Sequence, residues 1–448
     1  MRFKNIINPI ILEYIVISIL SIYFFLWSQS LLVFDERLLL IILIPIYFFS
    51  KQEILDKSLI KYFSILILFI SIHLVLNNIF FNNSVFLNFE AIVGSLVIAT
   101  VVVMYHSLIV KNLSKIIYLF VLVLFSFFLF ENLFVGNIYS INNFDCLNGW
   151  FSNAGAVAAY NAEHGTNYTT AKFKLFSENS HFGMIAPAII SYLIFMNYDK
   201  NYLNFLNIII IFFLFLFLST TLLVSTIVCI TFFLILKFKF IKNFQKITAV
   251  FFILISLLIV FSKPQCNMRL TETIQGVFIN FLTIINDDSS IRSNWIDTLE
   301  HDSINVSSEV VLNSYTVSLH SLKTYPLGTG VNNYILSYNK FSKDLSLTTL
   351  YILPWKLFNK SLTLTDNNKN DGSNNFSKLI TEFGIFSLIL FYLIFNCMLK
   401  DNKNFSKNIF FYSIIITQLI RGAGYFNGGF LLSLFIILLL TLKQKKND

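Results

Sequence analysis

The stretch Gln418–Leu440, QLIRGAGYFNGGFLLSLFIILLL, places an arginine and four glycines next to an apolar run of membrane length. An arginine costs about 2.5–3.5 kcal/mol at the centre of a bilayer and much less near its surface. Small residues allow membrane helices to pack closely. We therefore predict that Arg421 lies in a turn between the last two membrane spans, and that the glycines let it point into a helix bundle.

Apolar runs of similar length recur along all 448 residues, of which 56% are hydrophobic and 12% are charged. Soluble domains carry about 25% charged residues, so the composition excludes an ordinary soluble protein. It favours an all-α, polytopic membrane protein. The Ser219–Thr221 cluster is predicted to separate two spans. We predict about twelve spans near residues 8–27, 37–50, 59–76, 88–106, 115–135, 180–197, 203–218, 220–236, 246–262, 376–398, 408–420 and 424–442.

The distribution of lysine predicts how these spans are oriented. Lysines fall in alternate short loops and at the C-terminus, and the positive-inside rule makes that side cytoplasmic. Both termini are then cytoplasmic, and two long loops are extracytoplasmic, the second of them between spans nine and ten. The chain is thus divided into spans 1–135, loop 136–179, spans 180–262, loop 264–375 and spans 376–448.

Arginine is distributed differently from lysine. Arg269, Arg292 and Arg421 all fall on the predicted outer side. A guanidinium binds phosphate through two parallel hydrogen bonds, whereas an ammonium acts as a point charge. We predict that Arg292 and Arg421 bind a phosphate or carboxylate group. Arg269 is a further candidate, and a plain surface charge explains it equally well.

Cysteine and histidine do not have the spacing of a metal site, so no metal or other cofactor is predicted. Cys146 and Cys266 lie in the two outer loops, where an oxidising compartment would permit a disulfide. Cys229 and Cys397 lie within predicted spans as small apolar residues. No feature predicts a nucleic-acid partner.

The outer end of the sixth span carries candidate acid–base groups. His181 lies one turn into the span and could accept a proton from a sugar hydroxyl. Glu178 could orient His181 or act as the base itself. A place in the interfacial zone without a catalytic role explains both residues equally well. Ser180 could act as the helix N-cap.

The second long loop carries two motifs. Arg292 and Trp295 are three residues apart and would share one face of a helix. The stretch Pro326–Tyr334, PLGTGVNNY, predicts a turn in which glycine permits positive φ or a close backbone approach. His320, six residues before this turn, is interpreted as a packed residue.

A polar patch precedes the tenth span. Asp371, Asn374 and Asn375 stand at the membrane boundary, where they could bind a sugar or cap the helix. Glu382 lies two turns inside the predicted span, and a carboxylate at that depth needs a partner. We predict that Arg421 pairs either with Glu382 or with the phosphate of a substrate.

The order of these motifs resembles the O-antigen ligase and O-antigen polymerase (Wzy-type) superfamily. The shared order is many spans, R-x-x-W, P-L-G-x-G-x-N-N-Y, a polar patch and x-E-x-G-I-x-S-L. The phrases SENSHFGMIAP (177–187) and RGAGYFNGGFLL (421–432) are more similar to the polymerase branch. The resemblance extends over about residues 170–440.

The resemblance implies a metal-independent glycosyltransferase that faces the periplasm in the bacterial inner membrane. Its substrates would be glycans carried on undecaprenyl diphosphate, with arginines holding the diphosphate and a base activating the acceptor hydroxyl. Ligases carry a His-Asn pair where this chain has Ser373 and Asn374, and often Ser-Arg where it has Ser219 and Thr220. The absent histidine favours a polymerase and leaves the base to His181 or Glu178.

The predicted function is therefore the polymerisation of lipid-linked repeat units into O-antigen or a related surface polysaccharide. A chain-length regulator is a candidate partner, besides the bilayer and the lipid-linked glycan. One alternative is an O-antigen ligase that transfers the glycan to lipid A–core. Another, from a different class, is a flippase or transporter of lipid-linked oligosaccharide, which intramembrane charge would also suit.

Overall fold

The computed structural model describes residues 9–25, 36–50, 64, 68, 71, 86–134, 179–196, 205–217, 219–262, 306–341, 372–401, 404–422, 424, 425 and 429–444. These residues form helices and short connections, with no β-strand among them, so the predicted all-α class is confirmed for this part of the chain. In chain order the helices are α1 Pro9–Phe25, α2 Glu36–Ser50, α3 Phe86–Phe134, α4 Asn179–Gly183, α5 Ala186–Phe195, α6 Phe205–Phe215, α7 Thr220–Lys237, α8 Asn243–Ser262, α9 Val306–Thr324, α10 Tyr334–Phe341, α11 Asn375–Phe383, α12 Ile385–Lys400, α13 Phe405–Ile420 and α14 Phe430–Gln444.

One described stretch has both the length and the apolar character needed to cross a membrane. It is Val93–Leu129 within α3, 37 residues with a mean hydropathy of 2.1. The other apolar helical stretches found in the described part are 10–17 residues long, shorter than the roughly 20 residues that a membrane-spanning helix needs. Two of the helices that contain them are longer, α7 with 18 residues and α8 with 20. The helix lengths therefore leave the twelve crossings as a prediction.

Helix α3 is continuous over 49 residues, where the sequence predicted two spans, 88–106 and 115–135, with a loop between them. The predicted loop is wrong because segment 107–114, SLIVKNLS, contains neither the proline nor the glycine that would interrupt a helix. At 1.5 Å per residue the helix is about 73 Å long, more than twice the thickness of a bilayer core. Near its middle, Lys115 donates to Glu13 of α1 at 2.6 Å.

The predicted separation at Ser219 is confirmed. Ser219 is the N-cap of α7, with extended backbone (φ −147°), and its hydroxyl accepts a hydrogen bond from the N–H of Leu222 at 3.1 Å. Gly183 at the end of α4 packs directly on this cap, because a Cβ there would lie 2.8 Å from the Leu222 nitrogen. The polar cluster thus serves as a helix start on which the short helix α4 rests.

Helix α5 lies at the centre of the bundle. All of its residues are buried, and a helix that is apolar on every side requires neighbours on every side. It packs against α4, α6, α7, α8 and α13. Tyr192 of α5 contacts Phe410 of α13 edge to face and shares a hydrogen bond with Ser114 of α3 at 2.7 Å.

The predicted tenth span, 376–398, is broken into two helices. The break lies at Gly384, which has φ +53° and connects α11 to α12. The carbonyl oxygen of Pro326 accepts the N–H of Ile385 at 2.9 Å, and a Cβ at Gly384 would overlap that carbonyl group. The turn that precedes α10 therefore inserts at the break, and it joins the predicted outer loop to the helix bundle.

Candidate functional site

Three segments that are far apart in the sequence meet at the two ends of α11. The turn after α9 pairs with α11, since the N–H of Thr329 donates to the carbonyl oxygen of Thr381 at 2.9 Å. The connection between α13 and α14 pairs with the start of α11, since the N–H of Gly422 donates to the carbonyl oxygen of Ser373 at 2.9 Å. The structure thus brings together PLGTGVNNY, the polar patch with Glu382, and RGAGY.

The turn at 328–333 depends on left-handed backbone at three residues. Gly328, Gly330 and Asn332 have φ values of +89°, +98° and +60°. A Cβ at Gly328 would overlap the main-chain carbonyl group of Glu382, so only glycine permits this approach. Asparagine tolerates the left-handed region better than most residues. The predicted glycine turn is confirmed, and its close approach is to the backbone of α11.

Glu382 stands at the centre of the three segments and is fully buried. Its Oε2 atom accepts the N–H of Asn332 at 2.9 Å and the hydroxyl of Tyr425 at 2.5 Å. Its Oε1 atom accepts the N–H of Tyr334 at 3.2 Å and lies 3.9 Å from the ammonium of Lys378. A buried charge is tolerated when donors surround it in this way. The carboxylate therefore joins the turn, α11 and the α13–α14 connection.

The structure gives Glu382 different partners from the one that the sequence suggested. The carboxylate is held by Lys378 and Tyr425 where Arg421 was predicted. Lys378 is itself buried, lies one turn before Glu382 on α11 and faces the Tyr425 ring at 5.2 Å. The spacing of four residues between Lys378 and Glu382 is the sequence signal that was missed, because residues i and i+4 are neighbours on a helix.

Arg421 lies between α13 and α14 as predicted. It is the C-cap of α13, its backbone is extended (φ −143°), and its N–H donates to the carbonyl oxygen of Thr417 at 2.9 Å. Its side chain is partly exposed and is close enough to Tyr315 of α9 to interact with it electrostatically. The guanidinium therefore stands at the junction of α9 and α13, at the edge of the buried cluster.

Gly422 fixes the direction in which the chain leaves Arg421. Besides its bond to Ser373, it is packed so that a Cβ would lie 3.1 Å from Cγ and Oδ1 of Asn375. Asn375 is fully buried, and its Nδ2 atom donates to Oε1 of Gln418 at 3.3 Å. The last turn of α13 and the residue after Arg421 are thus held by the first turn of α11.

Asn374 performs one of the two roles that the sequence left open for the polar patch. It is the N-cap of α11, where its Oδ1 atom accepts the N–H of Ser377 at 2.7 Å. Its Nδ2 atom donates to the hydroxyl of Ser314 at 2.6 Å. Asn374 therefore caps α11 and ties it to α9.

The remaining predicted residues have other recorded contacts or lie outside the described residues. His181 is a partly buried residue of α4, and its carbonyl oxygen accepts the N–H of Met184 at 3.1 Å. His320 is stacked on Phe341, with ring centroids 6.0 Å apart, and is a packed residue as predicted. The residues outside the described part are Glu178, Arg269, Arg292, Trp295, Asp371, Cys146 and Cys266.

Within the described part of the chain, no group of three or more His, Cys, Asp or Glu residues could hold a metal ion. The described site places Arg421, a partly exposed residue whose Nη1 atom is buried, next to a buried carboxylate that is surrounded by donors. In comparisons with known proteins, no family model, no curated protein and no solved structure matches the chain.

Proposed function

We propose that this protein is a multi-pass membrane glycosyltransferase that polymerises undecaprenyl-diphosphate-linked repeat units into O-antigen or a related surface polysaccharide. One observation carries the proposal: three of the motifs on which the resemblance rests interlock around Glu382 and have Arg421 at their edge. Motifs that form a common site are expected to meet in space. Unrelated packing segments would have no reason to share one buried carboxylate.

Exposed apolar faces support a location in the membrane. Helix α8 exposes Ile247, Phe251, Leu254 and Leu258, which follow one another at spacings of three or four residues along one face. A continuous apolar stripe of this kind is costly in water and matches lipid. We propose a multi-pass location in the bacterial inner membrane with cytoplasmic termini on this basis, together with the positive-inside pattern of the lysines. The predicted fourth and fifth spans are replaced in this proposal by the single continuous helix α3.

The proposed reaction is a transfer from a diphosphate leaving group. The acceptor hydroxyl attacks the anomeric carbon of the donor glycan, and the bond from that carbon to the diphosphate oxygen breaks. His181 or Glu178 takes the proton of the hydroxyl. The guanidinium of Arg421 binds the diphosphate and stabilises the negative charge that it gains on leaving.

We propose that Arg292 and Arg269 complete the diphosphate site. A diphosphate carries several acceptor oxygens, so more than one guanidinium can bind it through paired hydrogen bonds. Asp371 is proposed on the glycan side of the site. Asn374 and Asn375, which the sequence also suggested there, are fully buried and hold α11 to its neighbours. The reaction as proposed requires no metal or other cofactor, and a chain-length regulator is a proposed partner.

The experiment is a gel of surface glycan from a deletion strain complemented with the wild type, Arg421→Ala, Arg292→Ala or His181→Ala. Lys323→Ala, a change of an exposed lysine on α9, is the matched control. The proposal predicts core plus a single repeat unit in the deletion strain. It predicts that the wild type and the control restore the ladder and that the arginine variants do not.

Other outcomes of the same gel overturn the proposal in distinct ways. Core alone, with polymer retained on its lipid, would indicate a ligase. Repeat units that remain on the cytoplasmic side would indicate a flippase. A ladder that persists in the deletion strain would exclude all three functions. Membrane fractions must contain each variant in equal amount, so that loss of the protein is not read as loss of activity.

A further inference from the structure

We propose that Glu382 is a positioning residue whose carboxylate holds the backbone that presents Arg421 in a single orientation. The inference rests on the proposed function only in taking Arg421 as the group that binds the diphosphate. Glu382 is itself fully buried, so it acts through the segments that it joins. Its role would be to keep a partly exposed arginine from moving when its ligand leaves.

The first segment that Glu382 holds is the turn before α10. The N–H groups of Asn332 and Tyr334 both point to its carboxylate. Three residues of this turn have left-handed backbone, a conformation that an isolated peptide populates poorly outside glycine. The Glu382 carboxylate thus stabilises a turn whose backbone conformation would be poorly populated without it.

The second segment is the one that follows Arg421. Tyr425 donates its hydroxyl to Glu382, and the same hydroxyl oxygen lies 3.3 Å from the Asn332 nitrogen. Gly424 has φ +90° and would leave this connection flexible without an anchor beyond it. At its other end the connection is anchored by Gly422 on Ser373. Both anchors belong to α11 or the residues just before it, so Arg421 is fixed relative to that helix.

A carboxylate suits the position of Glu382 better than any uncharged side chain. It accepts the N–H groups of Asn332 and Tyr334 and the hydroxyl of Tyr425 while facing the ammonium of Lys378. A glutamine would offer one acceptor oxygen and would turn an NH₂ group towards donors. Glu382→Gln therefore keeps the volume of the side chain and removes about half of its contacts.

Asp401 provides a matched control in the same protein. It is also buried, and its carboxylate accepts the Nδ2 atom of Asn408 at 2.7 Å, the hydroxyl of Tyr412 at 3.1 Å and the N–H of Asn404 at 3.1 Å. It lies at the opposite end of α13 from Arg421, about 24 Å away along a helix of 16 residues. Asp401→Asn thus perturbs a buried carboxylate at a distance from Glu382 and the two segments that it joins.

The test uses the full-length protein in detergent micelles, and it measures amide hydrogen exchange by mass spectrometry. In Glu382→Gln we expect faster exchange in peptides that cover 328–334 and also in those that cover 421–425. Tyr425→Phe, a milder change, should accelerate exchange in 421–425. Asp401→Asn should leave both regions at the wild-type rate.

A second measurement tests whether Glu382 acts through Arg421. It measures the binding of undecaprenyl diphosphate alone. We expect Glu382→Gln and Arg421→Ala each to weaken its binding roughly tenfold or more, the usual effect of losing a charged hydrogen-bonding group. The double variant should bind as Arg421→Ala does, because Glu382 acts through the arginine. A residue with a general stabilising role would instead give effects that add.

The outcomes separate this inference from the proposed function. Unchanged exchange in 421–425 for both Glu382→Gln and Tyr425→Phe overturns the inference, as do additive effects on binding. Faster exchange in 421–425, with no binding of undecaprenyl diphosphate by the wild type, supports the positioning role and contradicts the proposed function. If Glu382→Gln does not fold, Tyr425→Phe supplies both measurements.

Discussion

The N–H of Gly422 donates to the carbonyl oxygen of Ser373 at 2.9 Å, which ties the residue after Arg421 to the start of α11. This one bond connects the last two helices of the chain to the helix that carries Glu382. Side chains of the same region strengthen the connection, because Asn375 packs against Gly422 and donates to Gln418. The orientation of Arg421 is therefore a property of the tertiary structure and not of its own turn.

Gly422→Ala is expected to abolish or strongly reduce the glycan ladder while the protein still reaches the membrane. The added Cβ would lie 2.7 Å from the carbonyl oxygen of Gln418 and 3.1 Å from the Asn375 side chain, so the backbone next to Arg421 must move. Complementation of the deletion strain, with gel analysis of the glycan, measures the effect. Ser433→Ala, which removes a buried hydroxyl from α14, is the control, and an unchanged ladder for Gly422→Ala would contradict the prediction.

Asn374→Ala is expected to destabilise the protein by about 1–3 kcal/mol, because the N–H of Ser377 loses its acceptor and the Ser314 oxygen loses the hydrogen bond that it accepts from Asn374. Asn374→Ser retains an oxygen that can cap the helix, adds no charge to this buried position and should cost clearly less. Thermal unfolding in micelles compares the two variants. If Asn374→Ala unfolds like the wild type but no longer forms polymer, its main role is to bind glycan and not to cap α11.

Ser219→Ala is expected to destabilise the protein by about 1 kcal/mol through loss of the N-cap of α7. Ser225 is the control, since in the described structure its buried hydroxyl has no hydrogen-bond partner. Ser225→Ala should therefore leave stability unchanged or raise it. Equal thermal midpoints for the two variants would show that the Ser219 cap contributes nothing.

The length of α3 predicts which of its residues meet water. Lys111 is exposed near the middle of the helix, and Leu122 is 60% exposed about 16 Å further along it. In a variant without native cysteines, Lys111→Cys should react with a membrane-impermeant maleimide in inside-out vesicles. Leu122→Cys should react only after detergent is added, because we propose that this exposed position faces lipid. Protection of Lys111→Cys would place the middle of α3 inside the bilayer.

The sequence predicted the local features of this protein better than its long-range ones. The position of Arg421 between two helices and the helix start at Ser219 follow from side chains that act on their own neighbourhood. The break at Gly384 does not, because it depends on Pro326, nearly sixty residues earlier in the chain. The presence of glycine in a motif does not reveal which distant carbonyl group packs where its Cβ would be.

The predicted partner of Glu382 was wrong for a similar reason. Charge alone pointed to Arg421, whereas the structure satisfies the carboxylate with Lys378, Tyr425 and two backbone N–H groups. Backbone donors of a turn carry no mark in the sequence, so this type of site can be found only from coordinates. The continuity of α3 could have been predicted, since segment 107–114 has no residue that breaks a helix.

The central claim is that Arg421 serves transfer from a lipid diphosphate, and it is tested most directly with purified protein and a lipid-linked repeat unit. Product length is followed by gel or mass spectrometry for the wild type, Arg421→Lys, Arg421→Ala and Lys323→Ala. We predict polymer from the wild type and from Lys323→Ala, a partial loss for Arg421→Lys because one point charge replaces a paired guanidinium contact, and no polymer from Arg421→Ala. Wild-type polymer length from Arg421→Ala, or no polymer from the wild type with its authentic substrate, would contradict the claim.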